Sequence, residues 1–310
     1  MTMRSHEVRH HCAVVAIVGR PNVGKSTLLN QWIGQKLSIT SRKAQTTRHR
    51  ITGVLSQPEL QIVFVDTPGI QRKHSAALNR QLNKTALQSL ADVDLALWVI
   101  EATGLTAEDR AVLDMIPPAL PVIAVLNKSD RIKTDRERAA AYALGDQLAA
   151  MKRFAALVPV SAEKGSQLEA VISEISKLAP EGEAMFGPDE VSDRSVRFLA
   201  SEIIREKLFR LLGDELPYAL TVVIDRFDEA PSLSNPARPH AEISASIVVA
   251  KASQKALVIG DKGDRIKRIG SEARHDIATL IDGSVHLELW VKVKSGWADD
   301  AAAVKAFGYQ

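Results

Sequence analysis

A single cysteine, Cys12, is all that the 310 residues contain. One thiol closes no intramolecular disulfide and builds no all-cysteine metal cage, which fits a reducing compartment. No apolar run approaches the roughly 18 residues that a bilayer-spanning helix needs. The first eleven residues carry Arg and His around no apolar core, so no secretory signal is expected there. His10 and His11 have no partner ligands nearby in sequence and read as the end of a solvated tail, residues 1–12. A large charge excess is missing too: 40 Lys and Arg against 37 Asp and Glu leave a net of +3. A composition of 45 % hydrophobic and 25 % charged residues is that of an ordinary soluble globular protein. The length suits about two domains, and the expected setting is the cytoplasm.

What is present is concentrated in a few motifs. Gly19-Arg20-Pro21-Asn22-Val23-Gly24-Lys25-Ser26-Thr27 is a complete G-x-x-x-x-G-K-[ST] phosphate loop. It follows the strand-like run Ala13 to Val18 and precedes the helix-like stretch Ser26 to Ile33, the context that the motif requires. Gly19 and Gly24 leave room for backbone N–H groups to curl around phosphate oxygens, and the helix N-terminus adds partial positive charge. Lys25 is expected to reach the β- and γ-phosphates, and Ser26 to ligate Mg²⁺. Downstream, the polar stretch 34–50 holds Gln45-Thr46-Thr47-Arg48, read as a switch whose threonine hydroxyl completes the Mg²⁺ shell. Spacing does not separate Thr46 from Thr47; Thr47 is carried forward as the ligand. The strand Gln61 to Val65 then runs into Asp66-Thr67-Pro68-Gly69, where Asp66 is expected to hold Mg²⁺ through water and the Gly69 N–H to reach the γ-phosphate. Lys25, Thr47, Asp66 and Gly69 are thus the expected catalytic set.

A third apolar strand, Pro121 to Leu126, ends in Asn127-Lys128-Ser129-Asp130, and this turn selects the base. Guanine presents N1–H and N2–H donors side by side, and one carboxylate, Asp130, accepts both. Asn127 is expected to hold the loop and reach guanine, with the Lys128 stem lying against base and ribose. The strand Ala156 to Val160 leads to Ser161-Ala162, whose backbone N–H is expected to donate to guanine O6. Strands alternating with helices, with every motif at a strand's carboxyl end, give a doubly wound α/β sheet over residues 13–180. Ile70 stands where many GTPases carry a water-orienting glutamine, so slow intrinsic turnover is expected.

The acidic stretch 181–193 reads as an interdomain linker, and 194–310 as a second domain in the order α-β-β-α-α-β. From Lys251 to Arg274 seven basic residues face three acidic ones, a local +4 that exceeds the whole chain's +3. That is an electrostatic footprint for a polyanion. Gly260-Asp261-Lys262-Gly263, between two helices, is a loop that a nucleic-acid backbone can approach closely, and Arg265, Ile266, Lys267 and Arg268 begin the helix beside it. Helix-strand order and loop together resemble a type II KH domain.

Along nearly its whole length the chain resembles the Era GTPase family. The match is carried by Gly19 to Thr27, Gln45 to Arg48, Asp66 to Ile70, Asn127 to Asp130, Ser161-Ala162, Val258 to Gly270 and the terminal Phe307-Gly308-Tyr309. The resemblance implies GTP hydrolysis, with Mg²⁺, coupled to binding of 16S rRNA near its 3′ end during assembly of the 30S subunit. It also implies peripheral association with the inner face of the cell membrane in some members, and matches Asn22 to a position linked to K⁺ coordination. A monomer with no DNA partner is expected. Two rivals stay open: a metabolic or RNA-modifying GTP enzyme, opposed by the +4 patch, and a nucleotide-independent RNA scaffold, opposed by the full set of GTP motifs.

Overall fold

A computed structural model describes residues 10–40, 48–66, 88, 90–212, 220–232 and 235–307. Thr46, Thr47, Thr67, Pro68, Gly69 and Ile70 therefore lie outside the described residues. The chain divides into two compact units, one containing residues 10–35, 50–66 and 90–193, the other 36–40, 48–49 and 194 onward.

In the first unit, β1 (His11–Val18), β2 (Ile51–Gln57), β3 (Leu60–Asp66), β4 (Leu95–Glu101), β5 (Val122–Asn127) and β6 (Ala156–Pro159) form a sheet in the order β2-β3-β1-β4-β5-β6. The four pairings from β3 to β6 are all parallel, and β2 alone runs antiparallel at the edge. Parallel strands covered on both faces bury both side-chain rows, which is why β3 is buried at every position. β1 begins at His11, whose Nδ1 lies 2.9 Å from the Ala179 carbonyl oxygen. His11 is therefore part of the sheet rather than of a solvated tail. The helices α1 (Lys25–Ile33), α2 (Ala107–Leu113), α3 (Asp135–Ala150) and α4 (Leu168–Leu178) pack against this sheet's strands. Trp32 of α1 stacks on Phe64 at 4.7 Å, and Trp98 of β4 stacks on Phe154 at 5.3 Å. Thr106 caps α2 and Thr134 caps α3, each in a reciprocal capping box.

The stretch 181–193 is hydrogen-bonded to this unit's strands. Gln61 Oε1 accepts from the Met185 and Phe186 amides at 2.7 and 3.0 Å, the Val54 amide donates to Val191 O, and Ser192 Oγ to Thr52 O. A polar side chain on a buried strand thus meets its hydrogen-bonding requirement by holding the strap.

The second unit contains α5 (Val196–Leu211), β7 (Leu220–Pro231), β8 (Pro239–Val249), α6 (Ala252–Ile259), α7 (Asp264–Leu280), β9 (Ser284–Val293) and α8 (Ala301–Ala306). β8 pairs antiparallel with β7 and parallel with β9. One face of the sheet carries the core, in which Ile203, Ile204 and Leu208 of α5 meet Ile269, Ala273 and Ile277 of α7. The spacing of four places the α7 residues on one stripe. A smaller cluster of Val248, Trp297, Ala303 and Val304 gathers α8 against β8.

Helix α5 is buried on its polar side as well. Glu202, Arg205, Glu206 and Lys207 are all nearly inaccessible. Glu202 and Arg205 pair with each other at 2.5 Å, and Lys36 Nζ lies 2.5 Å from Glu206 and 2.7 Å from Asp276 of α7, which also binds Lys207 at 2.6 Å. Thr40 Oγ1 donates to Glu206 at 3.3 Å. At the other end of the segment 36–49, buried Arg48 donates to Leu220 O at 2.7 Å and lies over the Phe209 ring. His49 meets Phe198 edge to face at 5.1 Å. Burial pushes the His49 imidazole down to about 4; nearby Glu202 opposes this, while Arg205, Arg194 and Arg48 reinforce it.

Candidate functional site

The phosphate loop lies between β1 and α1, at the carboxyl end of the sheet. Its path fixes its glycines. A Cβ on Gly19 would stand 2.4 Å from the Val99 carbonyl oxygen, so the loop can pass β4 only as glycine. Gly24 caps α1 in the left-handed region at φ 104. Lys25 is 6 % exposed, and its ammonium donates to the carbonyls of Gly19 at 3.0 Å and Arg20 at 3.1 Å. Burial lowers its pKa to about 8, with Asp66 pulling upward and Arg20 downward. Phosphate oxygens arriving at this ammonium would restore its preference for the charged form.

Ser26 Oγ donates to Asp66 Oδ2 at 2.8 Å, and Asp66 is fully buried. A hydroxyl and a carboxylate oxygen side by side form a hard, oxygen-only donor set of the kind Mg²⁺ takes. Thr27 follows within α1. Among the expected catalytic residues, Lys25 and Asp66 are therefore brought together, while Thr47 and Gly69 lie outside the described residues.

The base loop closes onto the phosphate loop through Asn127. Its Nδ2 donates to Val23 O at 2.7 Å, and its Oδ1 accepts from the Lys128 amide at 2.8 Å and the Ala162 amide at 2.9 Å. The Ala162 amide, expected to face guanine O6, is in this structure bound to Asn127. Lys128 takes a left-handed φ of 65, and its ammonium donates to Asn22 O at 2.7 Å. Ser161 Oγ donates to Asp130 Oδ1, which fixes one carboxylate oxygen. Sequence reasoning missed a set of ionic partners around this loop: Glu101, at the carboxyl end of β4, meets Lys128 and Arg20, and Arg20 also meets buried Asp109. Their signal was position, since Glu101 ends an apolar strand just as Asp66 and Asn127 do.

In the second unit the Gly260–Gly263 turn joins α6 to α7. Gly260, Lys262 and Gly263 have φ of 73, 47 and 85. A Cβ on Gly260 would meet Arg265 Cβ at 2.6 Å, so the turn is tight against α7. Asp261, Lys262, Lys267 and Arg268 are exposed, Arg268 pairing with Glu272 at 2.9 Å. Arg265 instead reaches back to Leu257 O at 2.7 Å, and Ile266 packs on the core. Of the residues expected to face nucleic acid, Asp261, Lys262, Lys267 and Arg268 are therefore exposed, while Arg265 also braces the turn.

The comparisons agree with this division. A family described as "50S ribosome-binding GTPase" matches residues 14–128, and one described as "KH domain" matches 215–298. GTPase Era of Bordetella avium (strain 197N) is 48 % identical over 96 % of this chain and 97 % of its own. GTPase Era of Stenotrophomonas maltophilia (strain K279a) is 47 % identical over 99 % and 100 %. Among solved structures, a variant of Aquifex aeolicus Era bound to GDP.AlF4- has TM-score 0.89 and 40 % identity over 96 % of this chain and 99 % of that one. Era in complex with MgGDPNP and nucleotides 1506-1542 of 16S ribosomal RNA matches with TM-score 0.89 and 40 % identity, covering 97 % and 99 %. With phosphate loop, base loop and KH turn all carried at this identity over almost the full length of both chains, the protein belongs to the Era GTPase family.

Proposed function

We propose that this GTPase binds GTP with Mg²⁺ in its first unit, binds 16S rRNA near the 3′ end through the Gly260–Gly263 turn of its second, and acts in assembly of the 30S subunit. The observation that carries the reading is the Asn127 clamp, which joins a phosphate-binding loop to a guanine-selecting turn in one hydrogen-bonded site. The RNA target rests on the relative solved with a 16S rRNA fragment.

In the proposed site Lys25 and the loop amides hold the β- and γ-phosphates, and Asp130 accepts the two guanine donors. Ser26, Asp66 and Thr47 would hold Mg²⁺, which when bound neutralises charge between the β- and γ-phosphates. The Gly69 amide would steady the γ-phosphate, with Thr46, Thr67 and Pro68 lining the same approach. Ile70 has no group to orient water, so turnover depends on positioning and on a cation or partner; Asn22 is the proposed K⁺ ligand. We expect slow hydrolysis in Na⁺ buffer and acceleration when K⁺ replaces Na⁺, read by phosphate release. Fast turnover in Na⁺ alone would refute the slow-site reading.

Segment 36–49 supports a link between nucleotide state and RNA binding. Its described ends are bound within the second unit through Lys36 and Arg48, while its central threonines are the proposed Mg²⁺ and γ-phosphate ligands. Linkage makes the effect mutual: if GTP tightens RNA binding, RNA tightens GTP binding by the same factor. With a 3′-end 16S oligonucleotide, fluorescence anisotropy should give at least about 5-fold tighter binding with a non-hydrolysable GTP analogue than with GDP. Lys262→Asp should weaken the RNA by about 10-fold or more while leaving GTP affinity intact. Asp tolerates the left-handed backbone at this position, so the turn should persist. Equal RNA affinity in both nucleotide states would defeat the switch. The proposed setting is the cytoplasm, as a monomer, with peripheral contact at the inner face of the cell membrane; no described helix is long and apolar enough to cross it.

A further inference from the structure

Glu101 has no part in the chemistry above, yet its carboxylate is where the two nucleotide-binding loops meet. Its Oε1 lies 2.5 Å from the Lys128 ammonium and 3.2 Å from the Arg20 guanidinium. Arg20 is the second residue of the phosphate loop, and its carbonyl accepts from Lys25. Its Nε also binds Asp109 Oδ1 at 3.1 Å, and Asp109 is anchored by the α2 capping box with Thr106. Lys128 in turn donates to Asn22 O at 2.7 Å, two residues further along the same loop.

Two cations and two carboxylates therefore balance in a partly buried cluster, with Glu101 and Lys128 each about 20 % exposed. Burial works against the Glu101 charge, but the hydrogen bond and charge of Lys128, with Arg20 and Arg131, outweigh it and hold the carboxyl below its usual range. Position reinforces this. Glu101 ends β4 between β1 and β5, the strands that lead into the phosphate loop and the base loop. Its neighbour Ala102 donates its amide to Asn127 O at 2.7 Å, so backbone and side chain brace the same turn.

We propose that Glu101 is a positioning residue for guanine nucleotide: it fixes the Lys128 side chain along the phosphate loop and, through Arg20, ties phosphate loop to base loop before ligand arrives. This rests on the reading of the GTP site given above. Because the same interaction is present whether or not the γ-phosphate is in flight, its loss removes uniform binding: KM rises and kcat stays.

The test is a double-mutant cycle on the full chain, read by fluorescent GDP and GTP-analogue titration and by steady-state hydrolysis. Glu101→Gln keeps volume and an acceptor but not the charge; Glu101→Ala removes both. A charge-assisted hydrogen bond discounted for partial exposure gives about a tenfold loss in affinity for both nucleotides with kcat unchanged. In a Lys128→Ala background the same Glu101 change should cost less than about twofold, because the partner is already gone. A merely structural role would give the same loss in both backgrounds, and that outcome overturns the proposal, as does unchanged KM in Glu101→Gln. If the unaltered chain binds no guanine nucleotide, the site reading itself fails; if it binds and the Glu101 variants match it, only the role of Glu101 fails. Glu101→Gln, the milder change, keeps the test decisive should Glu101→Ala fold poorly.

Discussion

Asp130→Asn should exchange the base preference of the site from guanine to xanthine. Ser161 Oγ donates to Asp130 Oδ1, so the oxygen of an asparagine would take that place and its Nδ2 the place of Oδ2. A donor then faces a guanine donor, while the 2-oxo group of xanthine offers it an acceptor. A site built on hydrogen bonds rejects a mismatched partner strongly, and the expected loss of GTP affinity is about 10³-fold, with XTP gaining by a comparable factor. The substitution leaves charge pairing elsewhere untouched, since Lys128 is held by Glu101 and Asn22 O rather than by Asp130. Displacement of fluorescent GDP by GTP and by XTP reads the change directly. Retained preference for guanine would remove Asp130 from the base site.

The parts of this site that could be read in advance are those that constrain the backbone. Gly19 and Gly24 appear in the motif because a loop that must pass the Val99 carbonyl and turn left-handed into α1 admits no side chain, so their spacing is visible in any one sequence. Asn127 and Asp130 are similarly local, two residues of one turn at a strand end. Partners that meet only in space were not legible. Arg48 finds Leu220 O across 172 residues, and Glu101, Arg20 and Asp109 come from three separate stretches. β2 also escaped notice. Ile51 to Gln57 mixes Thr, Gly and Ser with three aliphatics and follows a polar loop, so no alternation marks it. Gly53 sits within it because α1 lies directly on the strand: a Cβ there would meet Leu29 Cδ1 at 2.6 Å. In α5 the apolar spacing of Phe198, Leu199, Ile203 and Leu208 predicts one core face, and all but half-buried Phe198 are buried. It gave no sign that Glu202, Glu206 and Lys207 are covered as well, because burial of charge depends on the ion pairs and on Lys36, all of which are tertiary.

That distinction bears on how the two functions can be joined. Residues 36–40 and 48–49 belong to the second unit and are held within it through Lys36 and Arg48. The two ends differ in kind. Lys36 is about a third exposed and held by Glu206 and Asp276, so salt screens it, whereas Arg48 is buried and hydrogen-bonded to backbone. In the switch proposed above, a nucleotide that engages Thr46 or Thr47 would work against the Lys36 end at lower cost than against the Arg48 end. Nucleotide coupling to RNA should for that reason weaken with ionic strength more than GTP affinity itself does.

Gly24→Ala should abolish tight nucleotide binding while leaving the sheet folded. Two costs combine. Alanine at φ 104 is strained, which costs about 1–3 kcal/mol. The new Cβ would also stand 2.2 Å from Asn127 Nδ2. Asn127 cannot simply swing aside, because it bonds Val23 O, the Lys128 amide and the Ala162 amide. Displacing it unties three loops at once, at about 1 kcal/mol per neutral bond. Together these predict at least about a 100-fold loss of GDP and GTP affinity. Gly34→Ala separates the two causes. Gly34 caps the other end of α1 at φ 72, with no heavy atom within 4 Å of its would-be Cβ, so it carries the strain without the collision. It should lower the melting temperature by a few degrees, in keeping with about 1 kcal/mol, and leave nucleotide affinity within about twofold of the unaltered chain. An equal loss of affinity in both variants would mean that backbone strain alone, and not the Asn127 clamp, governs the site.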